Sequence, residues 1–250
     1  MRSVVRLPTV EVVAITRFLQ HPRYKIPDDG DDALKLGAFA AKGCYDAFGE
    51  TGRSNFDNQE KIIESRHGSV IEHFCITLFI EGITRACSHE IVRHRAGFAY
   101  SQRSTRYTSE GNASIVLDPY FADLPEDDPL LIQHLQSCWS SVDVYEEQVE
   151  ELMVRNPLGK KGTELRKWAR GKARNLLPHA LETRMTITGN LRAWRHFLEM
   201  RSERFAEAEI RRLSQDIFYA LKSIAPFYFR DYNMEVIDGL PEFTTPHRKV

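Results

Sequence analysis

The chain lacks any uninterrupted run of about 20 apolar residues, the length a membrane-crossing helix needs, so no membrane span is expected. Its start, MRSVVRLPTVEVVAITRF, has no long apolar core of the signal-peptide kind, so no secretory leader is expected either. Cysteine is scarce. Cys44, Cys75, Cys87 and Cys138 form no C-x-x-C pair, which argues against a zinc knuckle or a thioredoxin-like motif. Reduced, buried thiols in a cytoplasmic protein are the expectation. An excess of one charge is missing too. Lys+Arg number 34 and Asp+Glu 35, so an anion site should be local, unlike the broad basic face of a nucleic-acid-coating protein. There are no internal repeats and no low-complexity tracts.

What is present is a globular composition. The 250 residues are 42% hydrophobic, enough for a real core, and one domain over 1–250 is expected. Residues 10–20 read as a strand running into a helix or loop. PDDGDD (27–32) reads as a turn and helix start, 33–47 as a helix, and 58–68 as a helix with a glycine stop. FCITLFIEGI (74–83) has the β-branched and aromatic content of a strand, and 83–95 reads as a helix. A Pro/Asp-rich connection (117–129) precedes a long amphipathic helix over 130–154, broken by NPLGKKG (156–162). Helices over 163–176, 190–203 and 205–224 follow, with a strand at 182–189, and the tail from 239 onward reads as loose. The sum is a helix-rich α+β chain.

Three clusters could carry chemistry. RHRAGFAYSQRSTR (93–106) holds four arginines, with few acids nearby. Arginine suits phosphate because its planar fork makes paired, charge-assisted hydrogen bonds. If 93–95 is helical, Arg93 and Arg95 point roughly 200° apart and serve different ligands, or one large one. Arg103 and Arg106 share a face if 103–106 is a helical turn. SHEIVRH (88–94) approaches the zinc-protease pattern, but His94 lies five residues after His89 rather than four. That puts it roughly 140° around a helix, so no metal site is expected. RHGSVIEH (66–73) packs His67, Ser69, Glu72 and His73 at a helix–strand junction. The third cluster is ARNLLP (173–178) with GNLRAWRHFLEMR (189–201), where Arg192 and His196 share a helix face. A wet polar face, or arginines stapling subunits together, is the bland alternative for each cluster. A nucleic-acid-binding protein is a further one.

RHGSVIEH, RACSHEIVRHR, YSQRSTRY, ARNLLP and GNLRAWRHFLEMR together resemble the flavin-dependent thymidylate synthases, in order and spacing, most strongly over 35–225. The resemblance implies a helix-rich α+β fold with an antiparallel or mixed sheet. It implies a homotetramer with active sites where subunits meet. It implies methylation of C5 of dUMP, with FAD as cofactor and methylene-tetrahydrofolate and NADPH as co-substrates. By position, it assigns FAD contacts to Ser69, Arg93, His94, Arg95, Gln102, Asn190, Arg192 and His196. It assigns nucleotide contacts to Glu90, Arg93, Gln102, Arg103, Ser104, Arg106, Arg174 and Arg201. The resemblance places His67 near flavin and folate, and it matches Arg201 to the arginine that activates the pyrimidine by stabilising charge as N3 ionises. No cysteine matches a nucleophile.

Four departures stand out. Eight residues (96–103), rather than seven, separate Arg95 from Ser104, and Gly97 could absorb the extra one as a bulge. Arg103 replaces a usually apolar residue and could pair with Glu90 or add a phosphate contact. Phe205 replaces a frequent histidine. Glu90 replaces a glutamine, and an ionised carboxylate only accepts hydrogen bonds, as a ribose 2′-hydroxyl could use. UMP is therefore the alternative substrate to dUMP.

Overall fold

The computed structural model describes residues 3–248 and 250. Strands in chain order are β1 (Val4–Val5), β2 (Thr9–Ile15), β3 (Cys75–Thr84), β4 (Phe98–Gln102), β5 (Ile115–Val116), β6 (Glu182–Asn190), β7 (Asn233–Ile237) and β8 (Leu240–Thr244). Helices are α1 (Asp32–Cys44), α2 (Asn55–Glu64), α3 (Arg85–Ile91), α4 (Pro119–Ala122), α5 (Pro129–Arg155), α6 (Gly162–Ala173), α7 (Leu191–Arg201) and α8 (Ala208–Ile224). Four strands form one sheet in the order β2-β3-β6-β4. No helix among the described residues is long and apolar enough to cross a membrane. The chain divides into two compact units, each built from three segments.

The first unit comprises the residues up to Thr9, Ile80–Ile91 and Ser101–Met185. β1 runs parallel to β5, with Val4 opposite Ile115. α5 begins where Asp128 accepts a hydrogen bond from Leu130 N and Pro129 occupies the first turn, where its missing N–H costs nothing. It ends at Asn156, which takes the left-handed conformation (φ 34°) at the expected break. Its stripe of Cys138, Trp139 and Val142 packs with Ala113, Ile115 and Leu181 into one buried cluster.

The second unit comprises Val10–Phe79, Val92–Tyr100 and Thr186–Val250. Asp31 caps α1 by accepting from Leu34 N at 2.8 Å. α7 starts at Asn190, whose side chain accepts from Ala193 N at 2.8 Å. The inner face of α7 buries Leu191, Trp194, Phe197 and Leu198, and α8 buries Ile210, Leu213, Ile217 and Leu221. The Trp194 indole N–H donates to the Ile76 carbonyl at 3.1 Å, so the largest side chain in this core leaves no polar atom unmet.

Two expectations are corrected here. The described residues of the tail from 239 onward are packed, not loose. β7 and β8 form an antiparallel hairpin around Asp238–Gly239, both with positive φ (55° and 75°), the signature of a two-residue hairpin turn. Val250 is fully buried, and its carbonyl accepts from Arg195 at 3.0 Å. The helix over 83–95 is also shorter, ending at Ile91. The backbone beyond it is claimed by tertiary partners. The Tyr100 hydroxyl donates to the His94 carbonyl, and Asn190 N donates to the Gly97 carbonyl at 3.1 Å. Arg93 and Arg95 therefore lie outside helical geometry, and their divergence cannot be read from a helical wheel.

Candidate active site

In the second unit, α7 supplies one wall of a cavity of about 300 Å³. Asn190, Arg192 and His196 line it, with Glu72, Gly97 and Ala193. Arg192 and His196, one helical turn apart, thus face the same space as their spacing requires. Arg192 Nη1 donates to Glu72 Oε1 at 2.6 Å, which fixes the guanidinium across the 3-10 helix Gly68–His73. A Cβ on Gly68 would lie 2.8 Å from Arg192 Nε, so a larger residue there would push this guanidinium aside. Gly97 does two things. Its φ of 77° lies in the left-handed region that favours glycine, in the turn between Arg95 and β4. It also leaves room at the cavity wall, since a Cβ there would sit 2.7 Å from Asn190 Nδ2 and 2.8 Å from Ala193 Cβ.

Beside this cavity, His94 packs edge-on and tilted among rings. Its centroid lies 5.0 Å from Phe197 and 5.9 Å from His196. Arg201 Nε donates to His94 Nε2 at 2.8 Å. An imidazole nitrogen accepts only when it carries no proton, so His94 is neutral with its proton on Nδ1. Burial first, then the charges of Arg201 and His196, hold its pKa down at about 4. Burial likewise pushes the Tyr100 hydroxyl up to about 12, against the pull of Arg201, so it remains a donor to the His94 carbonyl. The last turn of α7 thus presents a guanidinium gripped from behind by a neutral ring. His67 and Ser69 sit at the start of the 3-10 helix, both exposed, and His67 borders a second cavity. Arg93 and Arg95 are exposed on the turn after α3, and Phe205 is 87% exposed.

The first unit gathers the remaining candidates. Gln102 Nε2 donates to Ser88 Oγ at 2.9 Å and Thr183 Oγ1 at 3.3 Å, fixing its amide at the end of β4. Arg103 turns inward and meets Glu110 at 3.0 Å and Glu182 at 3.7 Å. Its carbonyl accepts from Arg85 at 3.0 Å. Glu110 is fully buried, and burial raises its pKa although Arg103 and Arg85 pull the other way. Ser104 opens a single turn: its carbonyl accepts from Tyr107 N and Thr108 N, at 3.2 and 3.1 Å. Arg106 projects into solvent from that turn, so Arg103 and Arg106 do not share a face. Arg174 is exposed at the end of α6. From the same helix, Arg170 donates to the Tyr107 carbonyl and Lys167 to the Tyr107 hydroxyl, each at 2.6 Å. Glu90 lies half-buried in the last turn of α3.

Sequence reasoning missed the two carboxylates that hold Arg103. Glu110 follows it by seven residues and could have been weighed as a partner; Glu182 is joined to it only by folding. Lys167 and Arg170, on the same helix as each other, were also overlooked as a basic edge beside Tyr107.

The comparisons agree on a family. The family model described as "Thymidylate synthase complementing protein" matches residues 26–227. The flavin-dependent thymidylate synthase of Mycobacterium marinum is 36% identical over 241 residues, 95% of this chain and 95% of the relative. That of Mycolicibacterium gilvum is 37% identical over 243 residues, with the same coverage of both. Among solved structures, the UMP/dUMP methylase PolB from Streptomyces cacaoi bound with 5-Br dUMP superposes with a TM-score of 0.64 at 21% identity. That match covers 91% of this chain and 95% of PolB, and at this identity it speaks to the fold.

Proposed function

Since the chain belongs to the thymidylate synthase complementing protein family, that of the flavin-dependent thymidylate synthases, we propose that this methyltransferase converts dUMP to dTMP. The carbon donor is methylene-tetrahydrofolate and the reductant NADPH. The single observation that carries the reading is the contact between Arg201 and neutral His94, beside the cavity that His196 lines.

FAD fits the residues present. Asn190, Arg192 and His196 supply donors along one wall, and Gly97 leaves the space a Cβ would fill. About 300 Å³ is at the lower limit for a ligand site, smaller than a dinucleotide needs. One chain therefore furnishes a section of the FAD site, and a homotetramer completes it with Ser69, Arg93, His94 and Arg95. When bound and reduced, FAD supplies the hydride that turns the transferred methylene group into methyl. Arg201 stabilises negative charge on the pyrimidine as N3 loses its proton. His94 orients that guanidinium without competing for the charge, being neutral itself. Gln102, Ser104, Arg106 and Arg174 bind the nucleotide, with Arg103 pinned behind them by Glu110.

Glu90 favours a second reading, in which its carboxylate accepts from a ribose 2′-hydroxyl and UMP is used. Tritium release from C5-labelled dUMP and UMP, with both co-substrates present, separates the two. We expect dUMP to turn over faster. Release from UMP equal to or above that from dUMP contradicts the deoxynucleotide assignment, and strict dUMP use retires the ribose role of Glu90.

A further inference from the structure

A second cavity, of about 630 Å³, lies in the second unit among α1, α2 and the loop joining them. Lys42, Arg53, Asn58, Lys61, Ser65 and His67 line it. Lys42 is the unusual member. It sits in the last turn of α1 with only 4% of its surface exposed. Its ammonium makes one hydrogen bond, to the Arg53 carbonyl at 2.9 Å. An ammonium has three donors. Among the described residues no carboxylate comes within ion-pair distance of it. Burial, the largest influence, lowers its pKa, with Asp29 opposing and Arg53 reinforcing.

The neighbouring acids are committed elsewhere. Asp29 accepts from Asn55 N at 2.9 Å and Phe56 N at 3.2 Å, at the start of α2. Glu64 meets Lys61 at 3.4 Å on the exposed surface. Arg53 has no carboxylate partner among the described residues. Lys42, Arg53 and Lys61 thus share one cavity whose described lining contains no carboxylate. A wet basic face would leave its lysines in solvent, where they cost nothing. Burying an ammonium with one neutral acceptor is unfavourable unless something anionic completes its shell.

We propose that this cavity is an anion-binding site that takes the negatively charged end of a co-substrate. Lys42 binds the anion from the buried side, and Arg53 and Lys61 bind it from the exposed side. The chemistry required is a carboxylate or phosphate group carried on a longer molecule. The glutamate tail of the folate and the 2′-phosphate of NADPH both offer it. The assignment to a co-substrate rests on the function proposed above, whereas anion binding itself does not.

The test has two stages. Calorimetric titration of the whole protein with tripolyphosphate and with tetraglutamate needs no turnover, so it stands even if methyl transfer is never seen. The wild type is expected to bind at least one probe, and Lys42→Met and Lys61→Ala to weaken it at least tenfold. Lys61→Ala alters an exposed side chain, so it serves if Lys42→Met does not fold. Absent binding in the wild type, or equal binding in the variants, overturns the proposal. Steady-state kinetics then names the source. A raised KM for polyglutamylated but not monoglutamylated methylene-tetrahydrofolate identifies the folate tail, and a raised KM for NADPH but not NADH identifies the phosphate. A variant that binds FAD normally and changes neither KM contradicts the co-substrate assignment.

Discussion

Replacing Arg201 with leucine is expected to lower kcat by about 10²–10³-fold, the usual loss when one preorganised charge-stabilising donor is removed. The reason lies behind the guanidinium as much as in it. Arg201 is held through Nε by His94 Nε2 at 2.8 Å, so its direction is set before substrate arrives. Lysine at this position keeps the charge but loses the fork and the Nε contact, so it should rescue only a minor part of the activity. Leucine preserves helix α7, and Asn190, Arg192 and His196 keep their places; FAD content measured alongside kcat separates a loss of charge stabilisation from a loosened His94. A kcat within a few-fold of wild type would remove Arg201 from the chemistry. The pH dependence follows from His94. The folded chain takes up that proton only near pH 4, the unfolded chain near the ordinary 6.5. Proton uptake therefore favours unfolding as pH falls through that window, and stability from neutral His94 is fully present above it. Near pH 4, protonated His94 repels Arg201, and activity should fall with an acid limb that His94 variants displace.

The largest effect on stability is expected from Asp231→Ala. Arg195 is completely buried, and its fork meets both carboxylate oxygens of Asp231 at 2.8 Å. The same guanidinium donates to the carbonyls of Val250 (3.0 Å) and His247 (3.3 Å), and also to that of Tyr228. Thr245 donates to Asp231 as well, at 2.6 Å. Removing the carboxylate leaves a buried cation uncompensated, which costs about 3–5 kcal/mol. For a chain of this size that is a fall in Tm of the order of 10 °C. Burial alone would raise the Asp231 pKa, but hydrogen bonds and charge from Arg195, with Thr245, bring it below the ordinary carboxylate value. A depressed carboxylate pKa contributes stability above the unfolded value, near 3.8, that is lost as pH falls through the folded one. The difference in Tm between wild type and variant should therefore shrink in strong acid. Thermal unfolding with an unchanged midpoint at neutral pH would contradict the role given to this pair.

These two contacts show what a sequence can and cannot disclose. The helices were legible because their signals are local: Asp128-Pro129 at the start of α5, Asn156 at its end, and the i, i+4 pair Arg192 and His196 on α7. The hairpin of β7 and β8 was missed, although Asp238-Gly239 carries a two-residue turn signal, because the short flanking segments read as a loose tail. By contrast, Arg201 and His94 are 107 residues apart, and Arg195 and Asp231 are 36 apart. Nothing in periodicity pairs them. The early end of α3 has the same cause, because Tyr100 and Asn190 compete for its continuing backbone through tertiary contacts. The wall of the first cavity could be anticipated from one helix; the buried Lys42 could not, because a lysine near a helix end reads as a solvated cap.

The most direct test of the central claim is FAD binding by the purified protein, followed through the visible flavin absorbance. The account predicts a yellow protein, or a colourless one that loads on addition of FAD and saturates near one FAD per chain. A folded protein that stays colourless at saturating FAD would contradict it, because Asn190, Arg192 and His196 would then line a cavity that holds no flavin.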